Sequence, residues 1–247
     1  MKVNRQHTPF CWGLWGLALA IVAGTSAYAQ QSYVSRYDFY AGFADVESPA
    51  LGLNQTGFHL QAGINPRPWY SLGADYTNAR GSMVLTPNEL PSAAQTQLLN
   101  EIAELEALHI LPPNYALRVP TDAYLQSFAM GPQFNYRHFS RVTLFTHPSL
   151  GAFRESAYPH GQDDFALGVV SALTHNTGIK IDWTGFYGGA AGAEFNLTKH
   201  IGARAMVDMI YQHPFNDILA NGFWTERYSV GLAYHFGPNI LGAKKHK

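Results

Sequence analysis

The sequence is poor in cysteine, in charged residues and in long apolar runs, and each shortage excludes a class of protein. Cys11 is the only cysteine among 247 residues, and it lies in an N-terminal segment that we expect to be removed. The mature chain is therefore predicted to have no disulfide, thiol nucleophile or cysteine-bound zinc. Charged residues make up 13%, and the formal net charge is −1, so no basic surface for nucleic acid is indicated. Beyond the N-terminal segment, no run of about 18 apolar residues offers a membrane-spanning helix.

The N-terminal segment, residues 1–29, has the pattern of a cleaved signal peptide. A short basic region contains Lys2 and Arg5, an apolar run extends from Phe10 to Ala23, and the segment ends in Ala-Tyr-Ala at position 29. Signal peptidase cuts after small residues in this arrangement. The alternative, a membrane anchor, needs about 20 apolar residues, more than this run provides. We therefore expect an exported protein with one mature domain over 30–247.

The mature chain consists mainly of segments in which apolar and polar residues alternate, the pattern of strands with two different faces. Eight such segments occur, near 37–44, 57–64, 70–77, 127–137, 142–153, 186–197, 201–211 and 227–236. The turns after the second, fourth and sixth are short, whereas long connections occupy 45–56, 78–126, 154–185 and 212–226. This arrangement predicts an all-β fold: an eight-stranded antiparallel up-and-down transmembrane β-barrel with long extracellular loops and a short C-terminal tail at 237–247.

The two faces of the predicted strands indicate which of them is outside. One face, beginning with Tyr37, Phe39, Ala41 and Phe43, contains no Asp, Glu, Lys, Arg or His in any of the eight segments. The other face carries most of the strand glycines and a few charged residues, but no lysine. A soluble lipocalin-like barrel is the alternative, but its exterior would be rich in lysine and glutamate. Small residues and compensated charges instead suit the narrow bore of an eight-stranded barrel, so the apolar face is predicted to contact lipid.

The C-terminal part of the chain resembles a known family. The stretch TGFYGGAAGAEFNLTKHIGARAMVDMIYQ, followed by ERYSVGLAYHFG, is similar to the last three strands of small bacterial outer-membrane β-barrel proteins of the OmpA-like type. The segments YDFYAGFA and GPQFNYRHFSRVTLFTHPSLGAF resemble the first and middle strands of that family. The resemblance implies an outer-membrane location and insertion by the barrel-assembly machinery, which reads a last strand ending in an aromatic residue. Five residues fit that assembly signal: Tyr228, Val230, Leu232, Tyr234 and Phe236.

The charged residues of the inward face form the main candidate site. Buried charges without partners are very costly, so we predict that these residues pair with one another and fill the barrel as a structural network. The alternative is that the same residues form a gate or a proton path. The predicted network consists of Asp38, Asp75, Arg137, Glu194, Arg204, Asp208 and Arg227.

Two strand motifs are weaker candidates for chemistry. His147 and Ser149 share one side of a strand, as in a lipid-deacylating barrel, but the register points both inward and no carboxylate that orients the histidine is evident. The sequence GGAAGA at 188–193 lacks the third glycine position and the following helix of a dinucleotide-binding loop. Small residues in a barrel wall explain it.

Two loop motifs have the residue types of metal ligands. Glu106 and His109 show half of a helical di-iron motif, but a second copy is missing, and a solvated helix face is the simpler interpretation. His160, Asp163 and Asp164 lie close together in the third long loop, where they are a candidate cation site. Neither motif is sufficient to predict a metal.

The second long loop contains the one helix that we predict, over about Asn88 to Ile110, ending before Pro112. Leu98, Ile102 and Leu105 recur at helical spacing and form an apolar stripe. The stripe either packs as a lid on the loops or provides a surface for a partner or for lipid.

These features predict a non-enzymatic outer-membrane β-barrel with a structural or surface-interaction role through its long loops. No catalytic residue, cofactor or metal is predicted. The expected contacts are outer-membrane lipid, the barrel-assembly machinery and an unidentified extracellular partner of the loops, with no nucleic acid. A narrow solute channel, a lipid-modifying barrel enzyme and a soluble lipocalin-like binder remain as alternatives.

Overall fold

The structure is a computed structural model that describes residues 31–219 and 221–241. The chain forms β1 (Ser35–Ser48), β2 (Leu53–Arg67), β3 (Tyr70–Leu85), β4 (Val119–Tyr136), β5 (Val142–Pro159), β6 (Lys180–Asn196), β7 (Ile201–Gln212) and β8 (Phe223–Asn239). Two helices, α1 (Ser92–Ala107) and α2 (Asp164–Leu173), lie in the connections after β3 and β5. The expected signal peptide lies outside the described residues and stays a prediction.

The eight strands form one closed antiparallel barrel in which each strand pairs with its neighbours in sequence. β1 closes the sheet because it pairs with β2 on one side and with β8 on the other. Tyr37, for example, lies opposite Ile64 of β2 and Phe236 of β8. Closure satisfies the backbone groups of every strand, as a backbone in hydrocarbon requires. The predicted fold class, an eight-stranded up-and-down barrel, is confirmed.

The uncharged face lies on the outside of the barrel, and the charged, glycine-rich face lies on the inside. Phe43, Leu150 and Leu232 are 54%, 67% and 60% exposed. Arg204 and Arg227, in contrast, are 3% and 2% exposed. An apolar exterior around a charged interior is the arrangement of a transmembrane β-barrel.

Aromatic side chains of the exterior contact one another near both ends of the strands. At the short-turn end, Tyr37 stacks on Phe236 with the ring centroids 5.4 Å apart. Toward the long-loop end, Tyr211 of β7 contacts Tyr187 of β6 at 5.4 Å and Trp224 of β8 at 5.5 Å. Tyrosine and tryptophan favour the boundary between membrane and water. Aromatic contacts near both ends of the strands are therefore consistent with a barrel that crosses a bilayer.

Most strands extend beyond their predicted ends on the long-loop side. β3 continues to Leu85 and β4 begins at Val119, although the alternation in the sequence predicted ends near 77 and 127. The extensions of β3 and β4 were missed because some of their outward positions are polar, for example Arg80 and Asp122. Their inward positions, such as Ala79 and Leu125, are apolar and buried, so the pattern of an apolar outer face and a polar inner face does not continue. The connections predicted as loops are thus partly strand.

The predicted helix over 88–110 is shorter in the structure. A 3₁₀ turn at Pro87–Glu89 carries a capping box with Thr86, and Leu90 after it is extended. The helical conformation is disfavoured for a residue that precedes proline, and Leu90 precedes Pro91. The helix α1 therefore begins only at Ser92. It ends at Ala107, because His109 has a left-handed φ of 58°.

The prediction of one loop helix is wrong, since α2 is a second helix. Asp163 caps α2, and its carboxylate accepts a hydrogen bond from the backbone amide of Ala166 at 2.8 Å. This is a standard way to satisfy a free amide at a helix N-terminus. Within the described ranges, neither helix is long and apolar enough to cross a membrane.

Candidate functional site: the barrel interior and the loop crown

The inward residues of β7 build the first of two ionic clusters, centred on Arg204. Its guanidinium donates to the Glu194 carboxylate at 2.8 Å, to the Gln61 side-chain carbonyl at 2.7 Å and to the Asp38 carboxylate at 3.2 Å. The Nε2 atom of His235 lies 2.7 Å from the other oxygen of Glu194. All of these groups are buried. Each buried charge of this cluster therefore has a hydrogen-bonded partner, as burial requires.

The second cluster is centred on Arg227 of β8. Arg227 forms a bidentate pair with Asp208, with N–O distances of 2.8 and 3.1 Å. It also donates to Asp75 at 3.3 Å and to the Thr77 hydroxyl at 2.6 Å. His59 Nε2 lies 3.5 Å from the same Asp75 oxygen. Each cluster thus combines one arginine, two carboxylates and one histidine.

Arg137, the seventh residue of the predicted network, belongs to neither cluster. Its guanidinium donates to the backbone carbonyl of Pro68 at 2.9 Å, to Gln31 at 3.2 Å and to Thr143 at 3.1 Å. Among residues 31–219 and 221–241, it has no acidic group within ion-pair distance. The structure therefore brings six of the seven predicted residues into ion pairs, and Arg137 closes the short-turn end with neutral partners.

An apolar layer separates the ionic clusters from the loop end of the barrel. Phe153 and Phe186 contact each other inside the bore with ring centroids 6.2 Å apart. They pack in one buried cluster with Val46, Ala79, Leu125, Ala129 and Ile210. The bore is thus filled by the two ionic clusters and then, toward the long loops, by hydrocarbon.

The long loops fold into an ordered crown, which we define as the α1 and α2 regions with the loop between α1 and β4. Leu98 and Ile102 of α1 pack in one buried cluster with Ala166 and Val170 of α2. This contact confirms that the apolar stripe of the predicted helix packs against the loops. At the end of α1, Leu108 and Ile110 remain 68% and 66% exposed.

A hydrogen bond joins the two halves of the crown. The Tyr115 hydroxyl donates to the Asp163 carboxylate at 2.8 Å. Burial, together with this acidic partner, raises the pKa of Tyr115 to about 12, so the phenol keeps its proton under physiological conditions. Asp163 therefore holds both the start of α2 and the loop before β4.

The residues of the loop metal motifs are assigned to separate contacts. Glu106 accepts a hydrogen bond from the Tyr115 backbone amide at 2.6 Å, while His109 lies beyond the end of α1. His160 pairs with Asp122 at 3.1 Å, whereas Asp163 caps α2. In the part of the chain that the structure describes, no three His, Cys, Asp or Glu side chains form a metal-binding group.

The strand motifs have structural surroundings as well. His147 and Ser149 are both buried in the bore, and His147 Nδ1 lies 3.5 Å from Gln61 Nε2. The glycines of GGAAGA lie in the middle of β6. A Cβ added at Gly192 would meet the Phe145 ring at 2.5 Å and the Ala205 carbonyl oxygen at 2.6 Å. Close packing explains this glycine without a bound nucleotide.

The five residues of the predicted assembly signal lie on the outward face of β8. Tyr228, Val230, Leu232, Tyr234 and Phe236 are 38–60% exposed. β8 continues beyond Phe236 to Asn239, so the first residues of the predicted tail belong to the strand. Recognition of this strand by assembly machinery stays a prediction.

Sequence reasoning missed one buried acid, Glu155. It falls in a segment predicted as loop, but β5 extends through it. The signal was present, because Phe153 and Glu155 continue the inward period of His147 and Ser149. An inward position for this residue follows from that spacing once the strand is extended.

No family model matches the sequence, and no curated protein matches it. Among solved structures, Neisserial surface protein A is 16% identical, with a TM-score of 0.49 over 81% of this chain and 96% of that one. Ail, the attachment invasion locus protein of Yersinia pestis, is 14% identical, with a TM-score of 0.45 over 82% and 99%. The outer membrane protein OprG from Pseudomonas aeruginosa is 10% identical, with a TM-score of 0.45 over 85% and 99%. With likeness at this level, the barrel assignment rests on the strand pairing of the chain itself.

Proposed function

We propose that this chain is a bacterial outer-membrane β-barrel that acts without enzymatic chemistry, through the surface that its long loops form. The observation that carries the proposal is the division of the molecule into an apolar exterior, a filled bore and an ordered crown. Lipid covers the exterior and the bore is closed, so the crown is the surface that remains available to other molecules.

The membrane location is supported by the exposed side chains of the strands. Phe43, Met130, Leu150 and Val230 are all at least half exposed. Burial of apolar area stabilises by about 25 cal/mol per Å², so these side chains together favour hydrocarbon strongly over water. Outer-membrane lipid is therefore the proposed solvent of the strands, and the aromatic face of β8 is the proposed contact for the barrel-assembly machinery.

A role as a solute channel is disfavoured by the bore. The two ionic clusters of Arg204 and Arg227 fill one part of the bore with their buried carboxylate partners, and the Phe153–Phe186 layer fills the next. An eight-stranded barrel is just wide enough for side chains to fill it. Passage of a solute would require both parts to rearrange.

The exposed hydrophobic residues at the end of α1 support a contact role for the crown. Leu108 and Ile110 project from the crown, at the long-loop end of the barrel. We infer that these two exposed apolar side chains contribute to a contact surface on the crown.

The test compares bacteria that produce the protein with bacteria that produce a crown variant. Leu108→Asp combined with Ile110→Asp should reduce attachment of the cells to polystyrene and their settling in suspension. The matched control, Gln97→Asp combined with Asn100→Asp, adds the same charge at exposed positions of α1 and should leave both unchanged. Equal attachment for wild type and both variants would remove the crown from the proposed role.

The alternatives predict different results for the same preparations. Purified protein in a planar bilayer should give no stepwise conductance, because the bore is filled. Conductance steps would identify a channel. Envelope lipids should have the same mass spectrum with and without the protein, because a deacylated product identifies an enzyme. The protein should sediment with the outer membrane and migrate differently before and after boiling. A detergent-free monomer in buffer identifies a soluble barrel instead.

A further inference from the structure

A pocket lies between the apolar layer of the bore and the crown. Its volume is about 80 Å³. Strand ends and the connection between β7 and β8 supply most of its walls, with apolar side chains that include Leu53, Leu85, Leu219 and Phe223. The pocket is separate from the two ionic clusters, since none of their arginines or carboxylates lines it.

One acidic side chain interrupts this apolar lining. Glu155 is 6% exposed and faces the pocket from β5. Its Oε1 atom accepts a hydrogen bond from Gln55 Nε2 at 2.7 Å. Across the described ranges, no Lys, Arg or His nitrogen lies within 4.0 Å of it. Lys180 also lines the pocket, but it pairs with Asp217.

This environment differs from that of the other buried acids. Glu194 and Asp208 each face an arginine, whereas Glu155 has one neutral donor for its two oxygens. Burial of a carboxylate without a cation is costly. A ligand with a cationic group and a hydrocarbon part would pair with Glu155 and pack against the apolar walls of the pocket.

We propose that this pocket binds a small apolar amine. The ammonium group pairs with Glu155, and the hydrocarbon part packs against Leu53, Leu85 and Phe223. An ammonium has three donors, so it bonds the free carboxylate oxygen while Gln55 keeps its own contact. This site is independent of the crown surface, because Leu108 and Ile110 do not line it.

The experiment uses the mature protein in lipid nanodiscs and two probes of the same length, n-hexylamine and 1-hexanol. Ligand-detected saturation-transfer NMR at neutral pH, corrected with empty nanodiscs, gives the dissociation constants. We expect hexylamine to bind the wild type at least about tenfold more tightly than hexanol, the range of a hydrogen bond to a charged group. Equal affinities for the two probes, or no saturable binding above empty nanodiscs, would overturn the proposal.

Two variants locate the interaction. Glu155→Gln keeps the shape of the side chain and its contact with Gln55 but removes the charge, so it should lower the affinity for hexylamine about tenfold and leave hexanol unchanged. Met83→Trp adds bulk to another wall of the pocket and should weaken both probes. Unchanged hexylamine affinity in Glu155→Gln contradicts the proposal. The comparison of probes on the wild type decides the question even if a variant does not fold.

Discussion

Replacement of Arg204 by alanine should be among the most damaging single changes in the bore. The side chain donates to Glu194, Asp38 and Gln61, and its guanidinium carbon lies 5.6 Å from the Tyr40 ring centroid and 5.3 Å from that of Phe145. Its removal leaves two buried carboxylates without their arginine. Loss of one partner from a buried ion pair costs about 3–5 kcal/mol, and His235 compensates only at Glu194.

The neighbouring residue provides the control. Ala205 follows Arg204 on β7 but points outward, so Ala205→Val should change the free energy of unfolding by less than about 0.5 kcal/mol. Both variants are measured in detergent or liposomes by urea titration, with tryptophan fluorescence and the heat-dependent gel shift as independent readouts. Equal midpoints for the two variants would refute the reasoning.

Further variants separate charge from packing. Arg204→Met fills much of the space but leaves the carboxylates unpaired, so it should remain nearly as unstable as Arg204→Ala. The combination with Asp38→Asn and Glu194→Gln neutralises the cluster and should recover most of the loss, because replacing a whole buried ion pair is often neutral. If Arg204→Met alone restores stability, packing and not charge accounts for the role of the arginine.

Three other predictions test the exterior, the wall and the crown. Val230→Arg should destabilise the barrel in lipid by about 2–4 kcal/mol, the cost of arginine on a lipid face. In the same urea titration, Leu99→Arg on the exposed side of α1 should have little effect. Equal effects of the two changes would argue against hydrocarbon around β8. Gly192→Ala should lower the free energy of unfolding by about 1–3 kcal/mol through overpacking. The control on the same strand is Gly185→Ala, which should be tolerated because the added Cβ would lie 3.8 Å from its nearest neighbour. A larger loss of stability in Gly185→Ala than in Gly192→Ala would contradict the packing argument. Asp163→Ala should remove a helix cap worth about 0.5–2 kcal/mol. Limited proteolysis of the crown should then become faster, while the difference between boiled and unboiled samples on a gel stays the same. An unchanged cleavage rate would mean that the cap does not hold the crown.

The strands that cross the apolar zone were predictable from the sequence because their two sides face different surroundings. A period of two then identifies both the strand and its inward residues, and Arg204 and Asp208, four residues apart, share one side. Toward the long loops the inward side becomes apolar, as the buried Ala79 and Leu125 show, so the contrast between the faces no longer follows the same pattern. The polar outward residues Arg80 and Asp122 hid the ends of β3 and β4 for that reason.

The ion pairs could not be assigned from one strand at a time. Arg204 lies directly opposite Glu194 on β6, and Asp208 lies directly opposite Arg227 on β8. These pairs depend on the register between strands, which alternation within a strand does not specify. Arg137 was grouped with the clusters because it shares their face, but it lies at the end of β4, where backbone carbonyl and neutral side-chain oxygens are its partners.

The pairing of β1 with β8 has a consequence for biogenesis. One side of β1 finds its partner in the next hairpin, but the other side waits for the last strand to be synthesised and exported, as the pairing of Tyr37 with Phe236 illustrates. Until then the nascent polypeptide presents open hydrogen-bonding edges and a large exposed apolar surface. In the outer-membrane role proposed above, we expect the chain to need an escort that keeps it unfolded, and truncation before β8 to convert an intramolecular seam into a template for aggregation.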